Sequence, residues 1–312
     1  MNNHFINLHM MDLGGTGITL TGGDRLSLTS SNNLIDSCQF ERVGRIQRTY
    51  NPAISINGVG NVIKNCKISD LPHTAILFSG NENVIDKNEI SHVCYETSDA
   101  GAIYTGRDWG SRGNVLKNNY IHDVNSILEG GVQAIYLDDA ASGITVKDNI
   151  LCNIGGVGVF IGGGRDNIVT ENIIVNCSST AILVDTRNIG FINLKKNDSF
   201  NLKEKIEKLN YKSAIWSKKY PKLETIFDKG YDEAILPNGN EVKNNVMWNN
   251  KINFKESHSG ALKFYNLSNN TELTKSPFLT DDVKKWKFDS SVIKILPKGF
   301  VTIPISEIGI SK

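Results

Sequence analysis

Acidic, aromatic and cationic residues crowd three short runs: E-T-S-D-A-G-A-I-Y-T-G-R-D-W (96–109), Q-A-I-Y-L-D-D-A-A-S (133–142) and F-I-G-G-G-R-D-N (160–167). Two carboxyl groups across a glycosidic bond can cleave it, one giving a proton to the leaving oxygen and the other acting as base or nucleophile. They stand ~5 Å apart in retaining and ~6.5–9.5 Å apart in inverting enzymes. Asp99 with Asp138 is the candidate pair, and the one-coil offset between them suits either outcome. Tyr104, Tyr136 and Trp109 could stack on pyranose faces. Arg107 and Arg165 could fork onto hydroxyls or acids, with His73, Glu96 and Asp166 completing the lining.

Each residue also has a plainer reading. Asp138 and Asp139 precede A-A-S-G, where an aspartate often only forms a turn, and Arg165-Asp166 could close a turn after three glycines. Those glycines match no phosphate loop, because no helix follows. Trp109 could plug a loop and Glu96 could order one. His73, His92 and His122 are too scattered for a metal site. Asp139 has inward parity if its strand continues, so either the chain turns there or Arg107, one coil away, neutralises it.

These residues need a scaffold, and the chain supplies a repeat. An eight-residue pattern (Asn or Ile, any, apolar, any, polar, Asn/Cys/Leu, any, apolar) begins at Asn3, Asn33, Asn61, Asn83, Asn114, Ile144, Asn167 and Asn240. Periods of about 20–30 residues with short strands predict a solenoid of stacked coils. Between these lie four-residue strands such as A-I-L-F, A-I-Y-T, A-I-Y-L and G-V-F-I. Alternation puts Ile54/Ile56, Ile76/Phe78, Ile103/Thr105, Ile135/Leu137, Val159/Ile161 and Ile182/Val184 inside. It leaves a column of Ala or Gly outside, beside Ser55, Leu77, Tyr104, Tyr136, Phe160 and Leu183. Two positions on, Asp138 shares that outer face. Asn88, Asn119, Asn149, Asn172 and Asn245 recur in register and predict an amide ladder. The expected fold is an all-β parallel β-helix.

The coil beginning at Asn61 is a minimal 22 residues, and the next two carry about nine extra each. The extra length, with Glu96 to Asp99 in one coil and Asn125 to Val132 in the other, predicts loop walls beside the candidate acids. The coils are expected over 1–192. A helical insertion is expected over 193–236, where 201–229 carries apolar residues at helical spacing among lysines and glutamates. The last coils and a C-terminal capping tail fill 237–312, with A-L-K-F from Ala261 reading as one more strand. Because the pattern already runs from Asn3, the first coil end is expected to be covered by preceding residues or by another subunit.

The bulk numbers agree with a turn-rich β protein: 28 glycines and 8% aromatics in 312 residues. Thirty-four basic and 33 acidic residues are interspersed, which gives nucleic acid or an anionic membrane no basic stripe to bind. No run is apolar enough to span a bilayer. The start lacks signal-peptide features, a lean towards the cytoplasm that secretion of a longer chain would reverse. The five cysteines cannot all pair within the chain, and Cys38 and Cys66, at equivalent repeat positions, are expected to be buried thiols.

The three runs above, with Q-R-T-Y-N-P-A-I-S-I-N-G-V-G-N (47–61), P-H-T-A-I-L-F-S-G-N (72–81) and the closing I-P-I-S-E-I-G, resemble large bacterial right-handed parallel β-helix proteins, pectate-lyase-like in architecture. Among characterised groups the resemblance is to glycoside hydrolase family 141, with α-L-fucosidase and xylanase activities. It implies a right-handed helix, an oligosaccharide or polysaccharide substrate, no cofactor, and an acid pair of Asp99 with Asp138 or Asp139. Two other readings stay open. A β-helix polysaccharide lyase would use Arg107 or Arg165 as base and commonly calcium, and a carbohydrate-binding or tailspike-like scaffold would have no catalysis.

Overall fold

The computed structural model describes residues 1–190, 200–280, 289–297, 300 and 307–310. Its strands stack in parallel into two nine-stranded sheets and one eight-stranded sheet, wound as a right-handed β-helix. Each eight-residue pattern supplies one short strand to the first sheet and one to the second: Asn83 and Asn88, for example, precede Val84–Asp86 and Glu89–Val93. The third sheet runs Ile18–Gly22, Ile54–Val59, Ile76–Asn81, Gly101–Gly106, Gln133–Asp138, Val157–Ile161, Thr180–Val184 and Ile252–Glu256. Its register is strict, with Tyr104 opposite Tyr136 and Gly106 opposite Asp138.

The aliphatic pairs expected inside do fill the lumen and belong to one core cluster, with Thr105 also buried. The column of Ala or Gly is a correction. Ala53, Ala75, Ala102, Ala134 and Ala181 are fully buried in that same core. They sit where the chain rounds the corner into the third sheet, and the corner breaks the alternation. A Cβ on Gly158 would come within 2.7 Å of Ile174 Cγ2 and 2.6 Å of the Ala181 carbonyl, so glycine alone fits there.

The expected amide ladder is present. Asn88, Asn119, Asn149, Asn172, Asn245 and Asn270 pass hydrogen bonds from coil to coil at 2.9 Å, Oδ1 of each accepting from the amide of the one before. A second ladder joins Asn33, Asn61, Asn83 and Asn114. All five cysteines are free and buried.

Residues 202–234 form four short helices, Leu202–Lys208, Ala214–Lys219, Pro221–Glu224 and Tyr231–Ala234. Their apolar faces, led by Leu202, Ile206, Trp216 and Leu223, pack together over Trp109 and Ala140. The coils resume at Asn240–Lys243. The expected strand from Ala261 is a correction as well: Leu262–Phe264 is a 3-10 turn, and the strand is Tyr265–Ser268, paired with Asn240–Lys243. The boundary expected at 192/193 and most of the closing apolar run lie outside the described residues. Val292, Leu296, Phe300 and Ile308 lie against Tyr120, Ile150 and Ile173 on the flank of the second sheet.

Candidate active site

The outer face of the third sheet carries the site. Tyr104 and Tyr136, on paired strands, meet edge to face at 5.4 Å, and Tyr136 stacks on Phe160 of the next strand at 4.9 Å. These rings form a cluster of their own outside the lumen. Tyr104 Oη donates to Asp138 Oδ2 at 2.7 Å, and Tyr136 Oη donates to Asp99 Oδ1 at 3.0 Å. Burial, then the charge of Asp138, pushes both phenols well up, so they remain donors.

Asp138 and Asp139 end their strand in a turn, with Asp139 and Ala140 at φ 29° and 65°. The turn resolves the parity of Asp139, and Arg107 also meets it, Nε to Oδ2 at 2.9 Å. Arg187, from two coils further on, completes the arrangement. Nη1 lies 2.7 Å from Asp138 Oδ1 and 3.3 Å from Asp139 Oδ1, Nε lies 2.6 Å from Asp185 Oδ2, and the guanidinium covers Phe160 at 4.7 Å. Burial alone would lower Arg187, but Asp185 and then Tyr136 outweigh it and its pKa is raised. Asp139 moves up, first through burial and then through the charge of Asp138, against the pull of both arginines.

Tyr104, Asp138 and Arg107 open onto a pocket of about 80 Å³. Asp99, exposed on the loop before Gly101–Gly106, borders it on one side. Tyr50, Pro52, His73 and Leu77 form a mostly apolar wall on the side of the preceding coils. The two lengthened loops lie side by side, with Ile127 N donating to Tyr95 O at 3.0 Å.

Five of the residues singled out in the sequence thus line one pocket: Asp99, Asp138, Tyr104, Arg107 and His73. Asp139 sits behind them in the ion-pair network. The remaining placements are corrections. Tyr136 is 1% exposed, its ring held between Tyr104 and Phe160, so it orients Asp99 and offers no face to a sugar. Trp109, also 1% exposed, is packed under the helical insertion against Phe227 and Tyr231. Arg165 donates to the Ala234 carbonyl at 3.0 Å, and Asp166 pairs with Arg112 at 2.8 Å, both against that insertion. Glu96 pairs with Arg48, which lowers its pKa, and it orders its loop without lining the pocket. Among the described residues no three His, Cys, Asp or Glu side chains are arranged to hold a metal ion, and no helix is long and apolar enough to cross a membrane.

Sequence reasoning missed Arg187 and Tyr50. Tyr50 left a signal: the coil from Asn33 to Asn61 is 28 residues against a minimal 22, and the surplus lies before Ala53. Arg187 left none in the spacing, because it acts across an intervening coil.

A family model described as a right-handed beta helix region matches residues 52–218, more than half of the chain, and the chain belongs to that family. The family includes enzymes that act on polysaccharides, and its fold is consistent with carbohydrate-active or carbohydrate-binding proteins. No curated protein matches the chain.

Proposed function

We propose that the protein is a glycoside hydrolase acting on oligosaccharide or polysaccharide, with Asp99 and Asp138 as its carboxyl pair. The observation that carries this reading is that the two carboxyl groups border one pocket while each accepts a hydrogen bond from a tyrosine of the neighbouring strand. Asp138 receives a guanidinium, a phenol and the backbone N–H of Asp139, donors that suit a carboxylate acting as base or nucleophile. Asp99, on its loop without the arginine contacts that hold Asp138, is left as the proton donor to the leaving oxygen, with Tyr136 orienting it. Arg107 and Arg187 hold Asp138 and Asp139 in place.

The lyase reading has less support. Among the described residues, four carboxyl groups at or behind the pocket, Asp99, Asp138, Asp139 and Asp185, meet two guanidinium groups, Arg107 and Arg187, and this excess of acids favours an uncharged sugar over a uronate. Arg165, the other candidate base, is engaged by the helical insertion. The fucosidase and xylanase activities of glycoside hydrolase family 141 remain the first substrates to examine, on the strength of the resemblance in the central coils.

Product analysis on fucosylated and xylan oligosaccharides tests the proposal. Hydrolysis releases a saturated reducing sugar. An unsaturated, ultraviolet-absorbing uronide from polyuronate would replace it with the lyase reading, and binding without any product would leave a carbohydrate-binding scaffold.

A further inference from the structure

Tyr50 stands out on the wall facing the acids. It is 81% exposed, although it borders the pocket, and it holds φ 56°, a left-handed backbone that a bulky side chain adopts at a cost of about 1–2 kcal/mol. Most other left-handed positions in these coils are Asn, Asp or other polar residues. The ring leans on His73, with centroids 5.0 Å apart and planes at 44°. His73 Nδ1 is buried and makes no hydrogen bond, while burial lowers the imidazole pKa and keeps the ring neutral. A solvent-facing aromatic held against a second ring at the rim of a pocket is what a pyranose face requires.

The order of these residues along the solenoid is the second observation. Tyr50, His73 and Asp99 precede three successive strands of the third sheet, Ile54–Val59, Ile76–Asn81 and Gly101–Gly106, all on one edge. Asp138 belongs to the next strand, Gln133–Asp138, so Tyr50 lies three strand spacings, roughly 14 Å, along the axis from it. Asp99, the proton donor in the reading above, stands between them. More than one sugar ring fits that span.

We infer that Tyr50, backed by His73, forms a leaving-group subsite, in which a sugar beyond the scissile bond stacks on the exposed Tyr50 ring. This rests on the assignment of Asp99 as the acid. It adds that the substrate is a glycan extending at least one ring past the cleaved bond, with its chain along the solenoid axis towards the first coils.

The test compares two substrates of one terminal sugar, xylobiose with xylosyl fluoride, or the fucosylated disaccharide with fucosyl fluoride. The fluoride has no leaving-group ring to stack. For Tyr50→Ala, the ratio of kcat/KM on the disaccharide to that on the fluoride should fall about tenfold, the worth of one stacked ring. Tyr50→Phe, which keeps the ring, should preserve the ratio. An unchanged ratio in Tyr50→Ala overturns the subsite while leaving the hydrolase intact. If the wild type cleaves neither substrate, the hydrolase reading falls, and titration with xylotetraose and a fucosylated tetrasaccharide decides the subsite. Binding weakened about tenfold by Tyr50→Ala keeps Tyr50 as a sugar-stacking site but overturns its leaving-group role, and equal affinity or no binding rejects the site altogether.

Discussion

Arg187 and Asp138, 49 residues apart in the chain, meet at 2.7 Å across a coil that lies between them. The intervening coil is passable because it carries Gly162, Gly163 and Gly164. Gly163 holds φ 77°, and a Cβ there would sit 3.3 Å from Arg187 Cγ. A Cβ on Gly164 would strike the Ala141 carbonyl at 1.7 Å. Gly163 thus leaves room for the Arg187 side chain on its way to Asp138 and Asp139, with Nε on Asp185, while Gly162 and Gly164 let the chain pass against the backbone of residues 137–141.

Arg187→Ala leaves those three buried carboxylates facing one another with only Arg107, half exposed, nearby. Removing one partner of a buried pair costs about 3–5 kcal/mol. Asp139, already raised by burial and by Asp138, also loses the downward pull of Arg187 in the variant, so the stability tied to its protonated form is complete below the unfolded aspartate value and is lost as pH climbs through the folded value. Urea unfolding of wild type and variant should show a deficit that widens from acid to neutral pH. A deficit independent of pH would mean that Arg187 contributes packing over Phe160 and little charge balance.

Asp99→Asn and Asp138→Asn should separate chemistry from stability. Both are expected to lower kcat at least about 100-fold, the scale of lost general acid–base catalysis. Asp99 is exposed on its loop, so its variant should melt as the wild type does. Asp138 is 4% exposed and accepts from Arg187, Tyr104 and the Asp139 amide, so its variant should also lose roughly 1–3 kcal/mol. Full activity in both variants would remove the carboxyl pair from the mechanism.

The coils were legible in the sequence because their determinants are local and repeated: an inward aliphatic at every second position and an asparagine at each corner. The meeting of Asp138, Tyr104 and Arg107 followed from the same periodicity, since in-register stacking turns position within the repeat into position in space. What failed lay outside the repeat. Trp109 and Arg165 occupy strand-end positions beside the acids, but the helical insertion, joined to them only in three dimensions, covers one and engages the other. Tyr136 has the expected outward direction, and its burial depends on Phe160 and Arg187 from later coils.

Asp139 gives a pH signature of opposite sense to an ordinary surface ion pair. Its folded pKa is raised, by burial first and by Asp138 second. The stability it supplies is therefore complete below the unfolded aspartate value and is lost as pH rises through the higher folded value. Asp139→Asn removes that titration, so the variant should gain on the wild type as pH increases from about 4 towards neutrality. Denaturant midpoints measured across this range check the sign. A variant that loses ground as pH rises would show that the Arg107 and Arg187 pairings outweigh burial at this carboxylate.

The asparagine ladder makes the sharpest claim about the scaffold. Asn119 Oδ1 accepts from Asn88 N at 3.0 Å and from Asn88 Nδ2 at 2.9 Å, while its own Nδ2 donates to Ile85 O and Asn149 Oδ1, both at 2.9 Å. Asn119→Ala strands a buried N–H and a buried carbonyl, at about 1–3 kcal/mol each. Asn119→Asp keeps the acceptor for Asn88 but turns a second oxygen towards Ile85 O and Asn149 Oδ1. That carboxyl should be protonated in the fold, with stability best in acid and falling as pH rises. Asn118, one residue earlier, half-buried and at φ 52°, donates outward to Asp86 at 2.8 Å, and Asn118→Gly, which tolerates that left-handed backbone, should cost under about 1 kcal/mol. Guanidinium unfolding of the three variants distinguishes a ladder that holds the coils from one that merely fills the corner: similar losses at 118 and 119 would leave the stacking to the aliphatic lumen alone.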